Sequence, residues 1–305
     1  MSEIPGWWWI AFTLIAAGAQ VARNVMQKGL TQTLGTIGAT HVRFLFGLPF
    51  GLLFLLLVML ISGQPFPAIP IHFWGWILLG GLSQITATAL MLAAMQLRSF
   101  VVATAYAKTE PVQLALFALV FLGDKLAFAS TAAILIATVG VFLMSWPKSG
   151  LIASVADRSD NRKSAIFGIV SGGMFALSVV GFRGAILTLD SSLFVVNATV
   201  TLAFGQLIQT GLLSTYLLLR SPATLGEIFK AWRPSIFAGF MGAFGSQMWF
   251  LAFALESAAR VRTLALVEIL FAQALTRKLF SQENSWRELG GIVLVVLGVA
   301  ILLNA

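Results

Sequence analysis

The sequence predicts an all-α polytopic membrane protein, with ten transmembrane helices arranged as two inverted five-helix repeats. Three observations predict it. First, 59% of the 305 residues are hydrophobic and only 10% are charged, against about 25% charged in soluble domains. A chain this apolar has too little polar surface to face water. Second, hydropathy and helix breakers divide it into ten apolar stretches, each close to the roughly 20 residues that a helix needs to cross a bilayer. Third, the longest polar stretch, 147–164, leaves five apolar stretches on each side. Five is odd, so a duplicated half would enter the membrane in the opposite sense.

The spans follow in order. The first runs 7–27, with Trp7, Trp8 and Trp9 as an interfacial anchor. Glu3 stands where a signal peptide wants Lys or Arg, so Ala17-Gly18-Ala19 reads as part of a retained helix, not a cleavage site. The second, 36–61, is closed by Gly63-Gln64-Pro65-Phe66-Pro67. The third covers 73–95 and the fourth 99–122; Gly123-Asp124-Lys125 then turns tightly into the fifth, 126–146, which stops at Pro147. Beyond the linker lie 165–187, 191–219, 234–255, 259–280 and 287–304. The domain organisation is therefore a first repeat (1–146), a polar linker (147–164) and a second repeat (165–305). Shifting the second half back by 158 places Glu268 on Glu110, Gly298-Val299 on Gly140-Val141, and Gln282 on Asp124. Pro49 and Pro111 interrupt helices, with Gly47 and Gly51 flanking the first, while Gly168 and Gly172 form a G-x-x-x-G that predicts close helix packing.

The net charge of +8 comes from Lys and Arg near span ends. It reads as membrane orientation and attraction to anionic headgroups rather than as nucleic-acid binding. Lys28, Arg98, Lys148, Arg158, Arg162, Lys163, Arg220, Lys230, Arg233, Arg277, Lys278 and Arg287 fall on one side, and only Lys125, Arg260 and Arg262 on the other. The first set, with the linker, is expected in the cytoplasm and both termini outside. The expected location is the plasma membrane, or the inner membrane of a Gram-negative bacterium. There is no Cys, which excludes disulfides, thiolate metal sites and a Cys nucleophile. No cofactor or metal is expected, and the chain is expected to be a monomer.

Charges deep in a bilayer are costly and mark functional candidates. Lys108 and Glu110 are about ten residues into the fourth span, roughly 15 Å deep, and Glu268 is similarly placed in the ninth. At 100° per residue Lys108 and Glu110 point to different sides, so they cannot form one local ion pair. Gln20, Arg23, Asn24 and Gln27 recur at i, i+3, i+4 and i+7, a polar stripe that must face protein or water. Arg43, near the start of the second span, is expected to snorkel. The candidate substrate-binding residues are Gln20, Arg23, Asn24, Gln84, Lys108, Asn197 and Gln247. Glu110 and Glu268 are candidates for proton coupling, because a carboxylate removed from water favours its neutral form. Alternatively they are ion-paired to Arg23, Arg43 or Arg183.

The ends of the halves carry a family resemblance. Glu110-Pro111-Val112, then Phe121-Leu122-Gly123-Asp124-Lys125-Leu126, then Gly140-Val141-Phe142-Leu143 resemble the EamA family of the drug/metabolite transporter superfamily. That family closes each five-helix repeat with Pro-Val, a Leu-Gly-Glu loop and Gly-Val. Arg43-Phe44 is similar too. In the second half Gly298-Val299 is kept, whereas Ile269 stands in place of Pro and Ser281-Gln282 in place of Gly-Glu. The resemblance implies a central cavity enclosed by helices one to four and six to nine, with five and ten peripheral. It also implies a secondary transporter, since members move amino acids, other metabolites, nucleotide sugars or toxic compounds, many of them as exporters. Arg23, Arg43, Lys108 and Arg183 outnumber Glu110 and Glu268 among the deep or near-deep charges, so the expected substrate is a small metabolite such as an amino acid or organic anion, moved by alternating access in the lipid bilayer with protons as a candidate coupling ion. The rival classes are an intramembrane enzyme and a channel. Metalloprotease chemistry needs an H-E-x-x-H ligand pair, which His41 and His72 cannot supply. Gly81-Leu82-Ser83-Gln84 has a serine-protease shape but no base nearby in sequence, and no filter-like segment appears.

Overall fold

The computed structural model describes residues 5–97, 100–123, 127–145, 155–268, 270 and 286–304. The Asp124-Lys125 turn, the linker residues 147–154, Ile269, the ninth span beyond 270 and Ser281-Gln282 lie outside the described residues. Every regular element among the described residues is helical, and five helical stretches are long and apolar enough to cross a membrane.

Helix α1 spans Trp8–Leu45 with a break at Gly35, whose φ of 66° and ψ of 179° are non-helical. The first span therefore stays helical through 34 before the chain reverses. Gln27 Nε2 donates to the Ala39 carbonyl at 2.9 Å. Twelve residues of unbroken helix would separate those groups by about 18 Å, so the two limbs of α1 run antiparallel. Only glycine occupies the Gly35 conformation readily. Because nothing would lie within 4 Å of a methyl there, Gly35→Ala should cost about 1–3 kcal/mol from backbone strain alone. Gly29 has equal room and an ordinary φ, so Gly29→Ala should be neutral or stabilising by up to about 1 kcal/mol. Thermal unfolding in detergent checks the contrast, and equal midpoints would contradict it.

Prolines and glycines set the next breaks. The second predicted span bends at Phe46-Gly47, and α2 (Leu48–Ser62) starts with proline in its first turn, where its missing N–H costs nothing. Helix α3 is Ile71–Leu97. The fourth predicted span is two helices, α4 (Phe100–Ala107) and α5 (Glu110–Leu122), with Pro111 in the first turn of α5. Then come α6 (Phe128–Ser145), α7 (Val155–Thr188), α8 (Phe194–Arg220), α9 (Pro222–Lys230) and α10 (Trp232–Leu255). The described part of the polar linker, 155–164, is the first portion of α7. Short α9 buries Ile228 against the α1 limb at Gly38. The ninth predicted span begins as α11 (Ala258–Leu264) and tightens into a 3₁₀ turn at Ala265–Val267. Helix α12 is Trp286–Leu303.

The chain forms two compact units, and each draws on both sequence halves: Met1–Ile85 with Leu177–Ser257, and Thr86–Ala176 with Ala258–Ala305. In the first unit, Gly239, Gly242 and Gly245 form an i, i+3 stripe on α10 that lies against Phe46, Arg43 with Arg23, and Ala19 respectively. In the second unit, a methyl on Gly172 of α7 would lie 2.7 Å from the Ala107 carbonyl, and Gly168 packs on Tyr106. The G-x-x-x-G is thus a close-packing face, set against the broken fourth span.

Candidate functional site

The first unit gathers the polar stripe of α1. Gln20, Arg23, Asn24 and Gln27 are 9%, 2%, 2% and 0% exposed, so the stripe faces protein along its length. Arg23 donates through Nη2 (2.6 Å) and Nε (3.2 Å) to Asn24 Oδ1. Trp249 Nε1 on α10 donates to Gln20 Oε1 at 3.2 Å. Gln247, from the same helix, donates to Thr199 Oγ1 on α8 at 2.9 Å. Arg43 does not snorkel as expected. It is 3% exposed, because the α1 reversal turns it inward, where Nη2 donates to Ser246 Oγ at 3.3 Å and the guanidinium lies 5.2 Å from the Phe44 ring centre.

A narrow crevice in this unit is lined by Arg43, Gln84, Gln206, Gln209 and Ser246 among the rings of Phe44, Phe182 and Phe250. Gln209 Nε2 donates to Gln84 Oε1 at 2.9 Å and to the Gly81 carbonyl at 3.3 Å. The lining thus combines a guanidinium, amides and a hydroxyl with aromatic walls. Asn197 lies apart from that lining. Its amide donates to the Leu189 and Ser191 carbonyls at 3.1 and 3.4 Å, tethering the loop that leads into α8. His41, fully buried, pairs through Nε2 with Ser214 Oγ at 3.0 Å.

The second unit holds a different arrangement. Lys108 and Glu110 flank the break between α4 and α5, and Glu268 follows the 3₁₀ turn that ends α11. Lys108 Nζ pairs with Glu268 Oε1, and Arg262 Nε lies 2.6 Å from Glu110 Oε1. Each broken span gives one cation and one carboxylate to the other. All four are buried, at 5% (Lys108), 4% (Glu110), 6% (Arg262) and 2% (Glu268) exposed. The expectation that Lys108 and Glu110 would look to different partners holds. The partner of Glu110 is Arg262, not Arg23, Arg43 or Arg183. Arg262, counted in the sequence among the charges near span ends, is one turn inside α11 and buried.

Gln206, Gln209 and Ser246 are absent from the sequence candidates, although the neutral amides Gln84, Asn197 and Gln247 are among them. Gln206 and Gln209 stand at i, i+3 on α8, the same spacing signal that exposed the α1 stripe.

Known proteins bear on this architecture in two ways. A solved structure titled "Crystal structure of protein" shares the fold, with a TM-score of 0.66 and 17% identity over 96% of this chain and 98% of its own. No curated protein sequence is significantly similar to the chain. Residues 7–146 match the model of the EamA-like transporter family, whose members are transporters, not enzymes. With apolar membrane-length helices in both sequence halves, the chain is a multi-pass membrane protein whose residues 7–146 carry the pattern of the EamA-like transporter family, a family of the drug/metabolite transporter superfamily.

Proposed function

We propose that the protein is a secondary transporter that exports a small metabolite bearing a negative charge, such as an amino acid or organic anion. It works by alternating access between two inverted five-helix repeats, 1–146 and 165–305, in a plasma membrane, as a monomer. The observation that carries the substrate reading is Arg43 in a buried crevice with Ser246 and the amides of Gln84 and Gln209. A guanidinium removed from water recognises a carboxylate through charge-assisted hydrogen bonds. The aromatic rings beside it can hold an apolar side chain. Two features support the repeat. Glu110 and Glu268, equivalent under a shift of 158 residues, occupy corresponding broken spans. Gly140 and Gly298, equivalent under the same shift, each pack against the helix that carries the other.

The test is counterflow in proteoliposomes with radiolabelled amino acids, organic acids and amines. Expected is exchange of a carboxylate-bearing compound, with Arg43→Gln lowering kcat/KM at least about tenfold, roughly 1.4 kcal/mol. A purely cationic best substrate, unaffected by Arg43→Gln, would sink the reading. A channel or an intramembrane enzyme would show no counterflow.

A further inference from the structure

Gln206 stands between the crevice that it lines and two glycines at the start of α2. Gly47 and Gly51 lie one helical turn apart, with Gly51 N donating to the Gly47 carbonyl at 3.0 Å. A methyl on Gly51 would run into Gln206 Oε1, and one on Gly47 would lie 3.2 Å from Gln206 Nε2. The amide therefore lies along the glycine pair, in room that any side chain there would take. Its oxygen is held by shape rather than by a bond. Gln206 is 4% exposed, and among the described residues Oε1 has no hydrogen-bond partner. Its neighbours in the lining are engaged. Gln209, one turn further along α8, donates to Gln84, and Ser246 accepts from Arg43.

We propose that Gln206 is a specificity-determining residue of the crevice, whose amide oxygen accepts a hydrogen bond from an N–H or O–H that the substrate carries beside its carboxylate. The proposal rests on the carboxylate-transporter reading above and narrows its substrate class to amino or hydroxy acids. A buried acceptor left without a partner is costly, whereas an apolar side chain of the same shape is not. A ligand that brings a donor removes that cost on binding. An isostere without the donor leaves it in place, which is how a site built around a polar group rejects the analogue that lacks the matching one. The terminal torsion of glutamine is broad and two-fold, so the amide can turn its oxygen toward the crevice without leaving the glycine pair. Arg43 lines the same narrow crevice, so the donor and the carboxylate belong to one small molecule.

The experiment uses the full-length protein in detergent and follows thermal unfolding at matched ionic strength. The probes are isocaproate, hydroxyisocaproate, leucine and isoamylamine. The three acids share one carbon skeleton and differ, at the carbon next to the carboxylate, by hydrogen, hydroxyl and ammonium; the amine lacks the carboxylate. Hydroxyisocaproate or leucine should stabilise the protein with a half-saturating concentration at least about tenfold below that of isocaproate, and which of the two acts separates a hydroxyl donor from an ammonium donor. Gln206→Met removes the acceptor and keeps an unbranched side chain of similar length. Without ligand it should unfold no earlier than the parent, because no bond through Oε1 is lost, and it should bring the donor-bearing acid to the level of isocaproate. Gly51→Ala keeps the glutamine but displaces its amide, and should weaken the same preference at least about threefold. A midpoint for Gln206→Met well below the parent's would mark a structural residue and overturn the proposal. If the three acids matched one another, or if the preference survived Gln206→Met, the proposal would fail and the carboxylate reading would stand. Stabilisation by isoamylamine alone, or by none of the probes, would overturn both.

Discussion

Glu110→Gln and Glu268→Gln should each lose most of the folded protein. Each substitution removes one carboxylate from a buried pair, Arg262–Glu110 or Lys108–Glu268, and leaves the cation facing a neutral amide. Breaking a buried pair from one side costs about 3–5 kcal/mol, a large part of the roughly 5–15 kcal/mol that holds a domain together. Removing both members of a pair is different. Lys108→Met with Glu268→Met deletes both charges and both desolvation penalties, so the double variant should recover most of the yield that Glu268→Met alone loses. The measurements are monodisperse yield and thermal midpoint after purification. The competing reading makes one of these carboxylates a proton carrier. Under it, the glutamine variant mimics the protonated state, folds normally, keeps substrate exchange and loses transport driven by a pH gradient. Normal yield in both single variants would reject the structural role. Unchanged pH-driven transport in both would reject the proton role.

The position of these charges ties the prediction to mechanism. Both pairs sit where a span stops being a regular helix: at the Lys108-Thr109 break before Pro111, and after the 3₁₀ turn at Ala265–Val267. A broken helix leaves backbone N–H and carbonyl groups unsatisfied, which lipid cannot accommodate and protein can. Glu110 in the first turn of α5 also meets the favourable end of that helix's dipole. The crossed pairs thus hold two weak points of the backbone to each other, and the G-x-x-x-G face of α7 closes against one of them.

The polar interior was legible where periodicity and depth coincide. Gln20, Arg23, Asn24 and Gln27 announced a buried face because four polar groups one turn apart cannot all meet lipid. Glu110 and Glu268 were legible from depth alone. Arg43 and Arg262 were not, since a long cationic side chain near a helix end can reach either water or the interior. The choice depends on a chain reversal at Gly35 and on a partner some 150 residues away in sequence, Glu110. Helix boundaries failed for a related reason. Lys28, Thr31, Gln32 and Thr33 lower the hydropathy after residue 27 while the backbone stays helical to 34, so an apolar window closes too early. Amphipathic α9 falls between the predicted spans because its nine residues are too few for one.

Gly140→Val and Gly298→Val should each destabilise the protein by about 3 kcal/mol, the upper end of the usual cost of overpacking. These glycines closed both halves of the sequence pattern, and the structure gives the physical reason. Helices α6 and α12 cross with backbone against backbone. A methyl on Gly140 would lie 2.7 Å from the Gly291 carbonyl oxygen and 2.8 Å from Val295 N. A methyl on Gly298 would lie 2.7 Å from Ala137 Cβ and 2.8 Å from the Ala133 carbonyl oxygen. Main-chain atoms of a helix cannot rotate aside, so the helices must separate. Separation would open the contact among Ala137, Val141 and Val295, all at 0% exposure, and Leu266 at 1%. Gly290→Val, on the same helix as Gly298, is the control. Its nearest neighbour is the flexible tip of Leu143 at 3.5 Å, and its cost should stay below about 1 kcal/mol. Thermal unfolding of the three variants in one detergent reads the difference. Because each glycine packs against the helix that carries the other, the two damaging substitutions should have similar effects. A Gly140→Val midpoint equal to that of Gly290→Val would mean that α6 and α12 do not meet backbone to backbone.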